Sequence, residues 1–133
     1  MRLVVDTNVF VSGVFFSGPP YRILDAWRHG KVELVLSVEI LAEYRETGAE
    51  LARQFSQADL QPWLELVALK ATFVDSPPLL KQVCTDPDDD KFLACALAGR
   101  VKTITSGDKA LLRASGYGGI TVLKPRDFVD KYL

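Results

Sequence analysis

The chain has 133 residues, is 48% hydrophobic and 25% charged, and carries a formal net charge of −1. That size and balance fit one domain with a core of its own, without disulfide or metal staples. The near-neutral charge excludes a global basic field for gripping nucleic acid, and no apolar run approaches the roughly 18 to 20 residues needed to span a bilayer.

Leu3-Val4-Val5 meets Asp6 at once, which is not the pattern of a secretory leader, so the expected setting is cytoplasmic. Arg2 to Asp6 reads as a strand buried on both faces. Thr7 to Gly18 is apolar at helical spacing through Val9, Phe10 and Val14. Pro19-Pro20 suits a first helical turn, and Tyr21 to His29 reads as a short amphipathic helix closed by Gly30. Lys31 to Ser37 has the alternation and β-branching of a second strand. Ser37 caps a helix from Val38 to about Glu46, with Val38, Leu41 and Ala42 inward and Gly48 breaking or bending it. A further helical stretch from Glu50 to about Ala71 contains Pro62. It is expected to divide in two, with Ser56 or Asp59 capping the second part.

Ala71 to Asp75 reads as a short third strand, stopped by Pro77-Pro78. Asp86-Pro87 opens a helix through Ala98, and Gly99 ends it. Val101 to Thr105 is the fourth strand, Ser106-Gly107-Asp108 a turn, and Lys109 to Ala114 a helix. Ile120 to Leu123 is the fifth strand, and Pro125 starts a final helix ending near Tyr132. Strands alternating with helices predict a single α/β domain over residues 1–133, with a parallel sheet covered on both faces.

Four acidic positions stand out against this frame: Asp6, Glu43, the run Asp88-Asp89-Asp90, and Asp108. All fall near the carboxyl ends of predicted strands, where open parallel sheets bind ligands. Carboxylates converging there repel one another unless a cation lies between them, and a hard ion such as Mg²⁺ or Mn²⁺ suits all-oxygen ligands. That chemistry points to metal-dependent work on phosphate esters. Each acid has a plainer reading too. Asp6 is either a metal ligand, with Asn8 and Ser12 orienting it, or the N-cap of the next helix. Asp86 caps the helix it opens, and Asp89 falls where a capping box would use it. Asp90, with no capping duty, is therefore the first choice for the site and Asp89 the second. Asp108 caps a helix or joins the site, roles that can coexist, with Ser106 holding a ligand carboxylate or a water. Glu43 is either a site residue or solvated surface. Lys91 and Lys109 flank two of the acids and are either phosphate contacts or solvated lysines.

Other chemistries have less support. Cys84 and Cys95 form no CxxC pair and the single histidine, His29, is far from both, so they read as small buried residues rather than zinc ligands. His29 sits in a last helical turn, where an imidazole commonly meets terminal carbonyls. No GxxxxGK[ST] or GxGxxG follows a strand.

Four stretches in order resemble the PIN domain, the small nuclease fold of many prokaryotic toxins. They are Leu3 to Val9, Ser37 through Glu43-Tyr44-Arg45-Glu46, Asp86 to Leu93, and Thr105 to Leu112. The chain is most similar to the branch regarded as toxin components of toxin–antitoxin systems. The resemblance implies a three-layer α/β/α sandwich with strand order 3-2-1-4-5, Mg²⁺ or Mn²⁺ held by an acid cluster, and hydrolysis of RNA. Asp6, Glu43, Asp90 and Asp108 match the family's four acids, the third being uncertain by one position within the Asp run. It further implies a small antitoxin partner with a basic tail, and a homodimer. Two other classes fit the same sheet. One is a non-cleaving RNA- or protein-binding adaptor. The other is a phosphatase or phosphotransfer protein, against which stands Asn8, where a haloacid-type site wants a second aspartate.

Overall fold

The computed structural model describes residues 1–55 and 60–133. Five strands form one parallel sheet: β1 (Arg2–Val5), β2 (Glu33–Leu36), β3 (Thr72–Phe73), β4 (Thr103–Thr105) and β5 (Thr121–Leu123), in the order β3-β2-β1-β4-β5. Leu3 pairs with Leu34 across β1 and β2, and Val5 with Thr105 across β1 and β4. Around the sheet, among the described residues, lie α1 (Thr7–Phe15), α2 (Pro19–Arg28), α3 (Val38–Gln54), α4 (Leu60–Lys70), α5 (Asp90–Ala98), α6 (Lys109–Arg113) and α7 (Pro125–Tyr132). The expected three-layer sandwich and its strand order are what the chain forms.

Central β1 explains its own sequence. Leu3, Val4 and Val5 are all buried, as a strand covered on both faces requires, so the run is continuously apolar rather than alternating. On one side α1, α2 and α3 pack together with α7 against α2, while α5 lies across β1, β2 and β4. Among the described residues no helix is long and apolar enough to cross a membrane.

Two expectations for α3 change. The helix does not break at Gly48 but continues to Gln54. Glycine at this position lets α4 approach: a Cβ there would stand 2.8 Å from Leu60 Cδ2. The close helix contact offsets the roughly 1 kcal/mol that a helical glycine costs. The inward face is also rotated from the one expected. Ile40, Leu41, Tyr44 and Gly48 are buried, while Ala42 is exposed and Val38 is 73% exposed. Pro62 sits in the first turn of α4, where a missing N–H costs nothing. The two proposed caps for that helix, Ser56 and Asp59, lie outside the described residues.

The helix expected from Asp86 begins differently as well. Pro87–Asp89 is a 3₁₀ turn, and the α-helix starts only at Asp90. Strand β2 starts at Glu33 rather than Lys31, because the Lys31 N–H still bonds the Ala26 carbonyl and closes α2.

Tyr44 ties α3 to the middle of the sheet. Its ring stacks on Phe10 of α1 with centroids 4.1 Å apart, and its hydroxyl donates to the Val5 carbonyl at 2.5 Å. The last residue of β1 is thereby fixed, and the next residue is Asp6.

Candidate active site

Asp6 follows β1 at the N-cap position of α1, yet its side chain makes no capping bond. It is only 4% exposed. The carboxylate is held instead by Ser106, whose hydroxyl donates to Asp6 Oδ2 at 2.5 Å, and by the Thr7 backbone N–H. Burial pushes the Asp6 carboxyl above its ordinary pKa. The two hydrogen bonds oppose that rise, and the charges of Asp108 and Glu43 add to it.

Ser106 comes from the neighbouring strand, one residue past β4. The β1–β4 pairing brings it to Asp6, and the Asp6 N–H extends the ladder to the Thr105 carbonyl at 3.0 Å. The Ser106 hydroxyl also accepts the Asp108 N–H at 3.0 Å, so one buried side chain couples two of the acids. Asp108 caps α6, its Oδ2 accepting the Leu111 N–H at 3.0 Å. Cap and cluster member are thus the same residue.

The aspartate run sorts by the geometry of the 3₁₀ turn. Asp86 caps it, accepting the Asp88 N–H at 2.9 Å. Asp89 makes no capping bond. Its half-buried carboxyl lies beside Asp108, in the fields of Asp108, Asp6 and Asp86. Burial, then Asp108 and the other two acids, push it up to about 7. Asp90 turns the other way. Its two oxygens accept the N–H groups of Val83 at 3.0 Å and Cys84 at 2.7 Å, fastening the preceding loop to the start of α5. Burial raises its pKa, but those bonds outweigh burial and leave the carboxyl below its usual range. Asp89, the second choice from sequence, thus lies in the field of Asp108 and Asp6, while Asp90, the first choice, holds the Val83–Cys84 loop. A 3₁₀ turn advances about 120° per residue rather than 100°, so reasoning on α-helical spacing misdirects these side chains.

Glu43 is half-buried on the flank of α3 beside Tyr44. Its Oε1 accepts the Thr7 hydroxyl and its Oε2 pairs with the Lys91 ammonium. Thr7 had no role assigned from sequence. Its place between Asp6 and a helix was the available signal, since a hydroxyl there must point either to the helix or to the strand ends. Lys91 is only 7% exposed in its side chain, and also pairs with Asp88 Oδ2 at 2.9 Å. Burial would lower its pKa, but the bonds to Glu43 and Asp88 prevail and raise it. Lys109 is exposed at the start of α6. Asn8 is exposed on α1, and among the described residues the groups holding Asp6 are Ser106 and the Thr7 N–H rather than Asn8 or Ser12.

Elsewhere, His29 Nδ1 meets the Asp25 carbonyl at 2.8 Å, ending α2. Cys84 and Cys95 are buried free thiols, both pushed up to about 12, first of all by burial. They are poor thiolate ligands at neutral pH. An apolar cavity of about 750 Å³ between Pro77–Leu80 and α5 touches none of Asp6, Asp89 or Asp108. Its size reflects the apolar walls rather than any chemistry.

The donor chemistry at the β1–β4 edge fits a hard divalent cation. The groups there are carboxylate and hydroxyl oxygens, and the Asp89 carboxyl is raised first by burial and then by the neighbouring acids. Among the described residues no three His, Cys, Asp or Glu side chains are already closed around a single point. A cation there competes with the Asp89 proton.

Comparison with known proteins gives the family. The family model for the PIN domain matches residues 2–110. The uncharacterized protein MJ1680 of Methanocaldococcus jannaschii is similar, 25% identical over 143 aligned positions that cover 99% of this chain and 92% of the relative. The matched span runs from β1 through Asp108 and takes in every acid described above. The chain therefore belongs to the PIN domain family, whose members are generally nucleases that use divalent metal ions.

Proposed function

We propose that this chain is a Mg²⁺- or Mn²⁺-dependent endoribonuclease and the toxin of a toxin–antitoxin pair. The observation that carries the nuclease reading is that Ser106 joins the Asp6 carboxylate to the Asp108 backbone at the β1–β4 edge, with the Asp89 carboxyl in their field and raised to about 7, first by burial and then by Asp108. Asp6, Asp89 and Asp108 would hold the ion, directly or through water. Asp90 would serve them by fixing the loop beside α5. When bound, the ion supplies an acidified water and offsets phosphate charge.

The remaining work falls to the chain's own groups. Ser106 keeps Asp6 and the Asp108 backbone in register. Asp108 remains oriented because its other duty, the α6 cap, fixes one oxygen. Glu43, held by Thr7 and Lys91, adds to the field that raises the Asp6 pKa and would help orient the attacking water. A net charge of −1 gives no general hold on a polyanion, so substrate binding depends on the cation. RNA as substrate, and a small antitoxin whose basic tail covers the acids, follow the resemblance to the toxin branch.

The test is a cleavage assay on single-stranded RNA, with a DNA strand of the same sequence beside it. Cutting of RNA with Mg²⁺ or Mn²⁺, stopped by EDTA, is expected. Cleavage that continues under chelation sinks the metal mechanism. Growth arrest on expression, relieved by a short neighbouring reading frame, is the corresponding test of the toxin role.

A further inference from the structure

Lys91 occupies an unusual position for a lysine next to a nuclease cleft. Its side chain is 7% exposed, so its ammonium is not a free hand for phosphate. Three oxygens surround it: Glu43 Oε2 from α3, Asp88 Oδ2 at 2.9 Å, and the Asp88 carbonyl at 3.0 Å. Its Nζ also lies 5.4 Å from the centre of the Phe92 ring, which closes the apolar side. Two carboxylates and a carbonyl are oxygen donors of the kind that, completed by water, also hold a hard divalent ion. Here the cation is covalently part of the chain.

The placement follows from local structure. Asp88 and Lys91 are three residues apart, across the junction of the 3₁₀ turn with α5, so the lysine folds back over the turn. Glu43 comes in from the neighbouring helix, with its other oxygen taken by Thr7 next to Asp6. The acids thus form a row with two ends. At one end lie Asp6, Asp89 and Asp108, which among the described residues form no ion pair. At the other, Glu43 and Asp88 are already matched by Lys91.

We propose that Lys91 is a positioning residue that stands in for a second metal ion, so that the chain binds one divalent ion, at the Asp6–Asp89–Asp108 end. The proposal rests on the metal-dependent reading above and specifies its stoichiometry. Removing the ammonium frees an all-oxygen pocket at the Glu43–Asp88 end. Replacing it with another cation keeps that pocket filled.

The experiment counts Mn²⁺ bound to the full chain, by calorimetric titration and by the free-Mn²⁺ resonance signal, with circular dichroism to check the fold. Wild type and K91R are expected to bind one Mn²⁺ per chain. K91M, or the milder K91Q, is expected to bind two. E43Q/K91M, which removes both charges, is expected to return to one. Folded K91M and K91Q that each bind a single ion overturn the proposal and leave the nuclease reading standing. Two ions on wild type overturn it without any variant. No Mn²⁺ on wild type overturns the metal-dependent reading and this proposal with it.

Discussion

Neutralising Asp89 should make the metal-free protein more stable while removing its activity. Folding moves this carboxyl from its ordinary 3.8 to about 7, through burial first and then Asp108. A three-unit shift corresponds to about 4 kcal/mol at about 1.4 kcal/mol per unit. Asp89 is only half-buried, and solvent screening reduces that to about 1–2 kcal/mol. The folded-state pKa lies above the unfolded one, so protonation favours the native state. The penalty is absent below about pH 3.8, grows as pH rises, and is complete above about pH 7. Asp89→Asn has no such penalty. In EDTA at pH 8 it should melt about 4–8 °C above wild type, taking about 4 °C per kcal/mol for a chain of this size. At pH 4 the two should nearly coincide. Millimolar Mn²⁺ at pH 8 should narrow the gap, because a ligand of the native state stabilises wild type more than the variant. Thermal melts at the two pH values, with and without Mn²⁺, read all of this. An Asp89→Asn variant that melts below wild type at pH 8 without metal refutes the argument. So does a gap equally wide at pH 4.

Three other substitutions divide the site into parts. Asp90→Asn should cost about 2 kcal/mol at neutral pH, since an amide cannot accept both the Val83 and Cys84 N–H groups. The folded pKa is lowered, so that deficit should shrink as pH falls below about 3.8 through the folded value, as urea unfolding at pH 7 and pH 3 would show. Its cleavage rate should fall much less than that of Asp89→Asn, measured on the same RNA. Ser106→Ala leaves a buried carboxylate and the Asp108 N–H without their shared partner. A loss of about 1–3 kcal/mol and a kcat lower by about 10- to 100-fold should follow, read by denaturation and single-turnover cleavage. Tyr44→Phe keeps the stack on Phe10 but loses the bond to the Val5 carbonyl, and should lower stability by about 1 kcal/mol in chemical denaturation.

Much of the architecture was legible in the residues because each level of pattern agreed. Leu3-Val4-Val5 could only be a strand covered on both sides, and Ser37 caps α3 through the Ile40 N–H as its type and place suggest. The strand order followed from the resemblance rather than from periodicity. Helix α3 was misread at Gly48 because propensity reports what glycine costs a lone helix, while the benefit comes from Leu60, which local sequence does not bring near. Val38 and Ala42 were placed inward for the same reason: the buried face is chosen by α1, and Phe10 selects Tyr44. In the acidic run, composition revealed the cluster, but the sorting of Asp89 from Asp90 depended on a 3₁₀ turn and on the loop amides of Val83 and Cys84. The lysine inside the row was visible in the sequence as a residue. Its burial was not, because that depends on Glu43 from 48 positions earlier, the difference between 91 and 43.

The bond from Ser106 to Asp6 spans 100 residues of chain. Central β1 is synthesised about 100 residues before its neighbour β4 and the turn carrying Asp108. Domains gain structure from the N-terminus as they emerge, and contacts of such long sequence separation close late. A nascent chain that stops short of Asp108 has Asp6, Glu43 and even Asp89 but lacks the residues that bring them into register. The bonds that join Asp6 to the Asp108 turn are thus absent until β4 and the turn after it have been made.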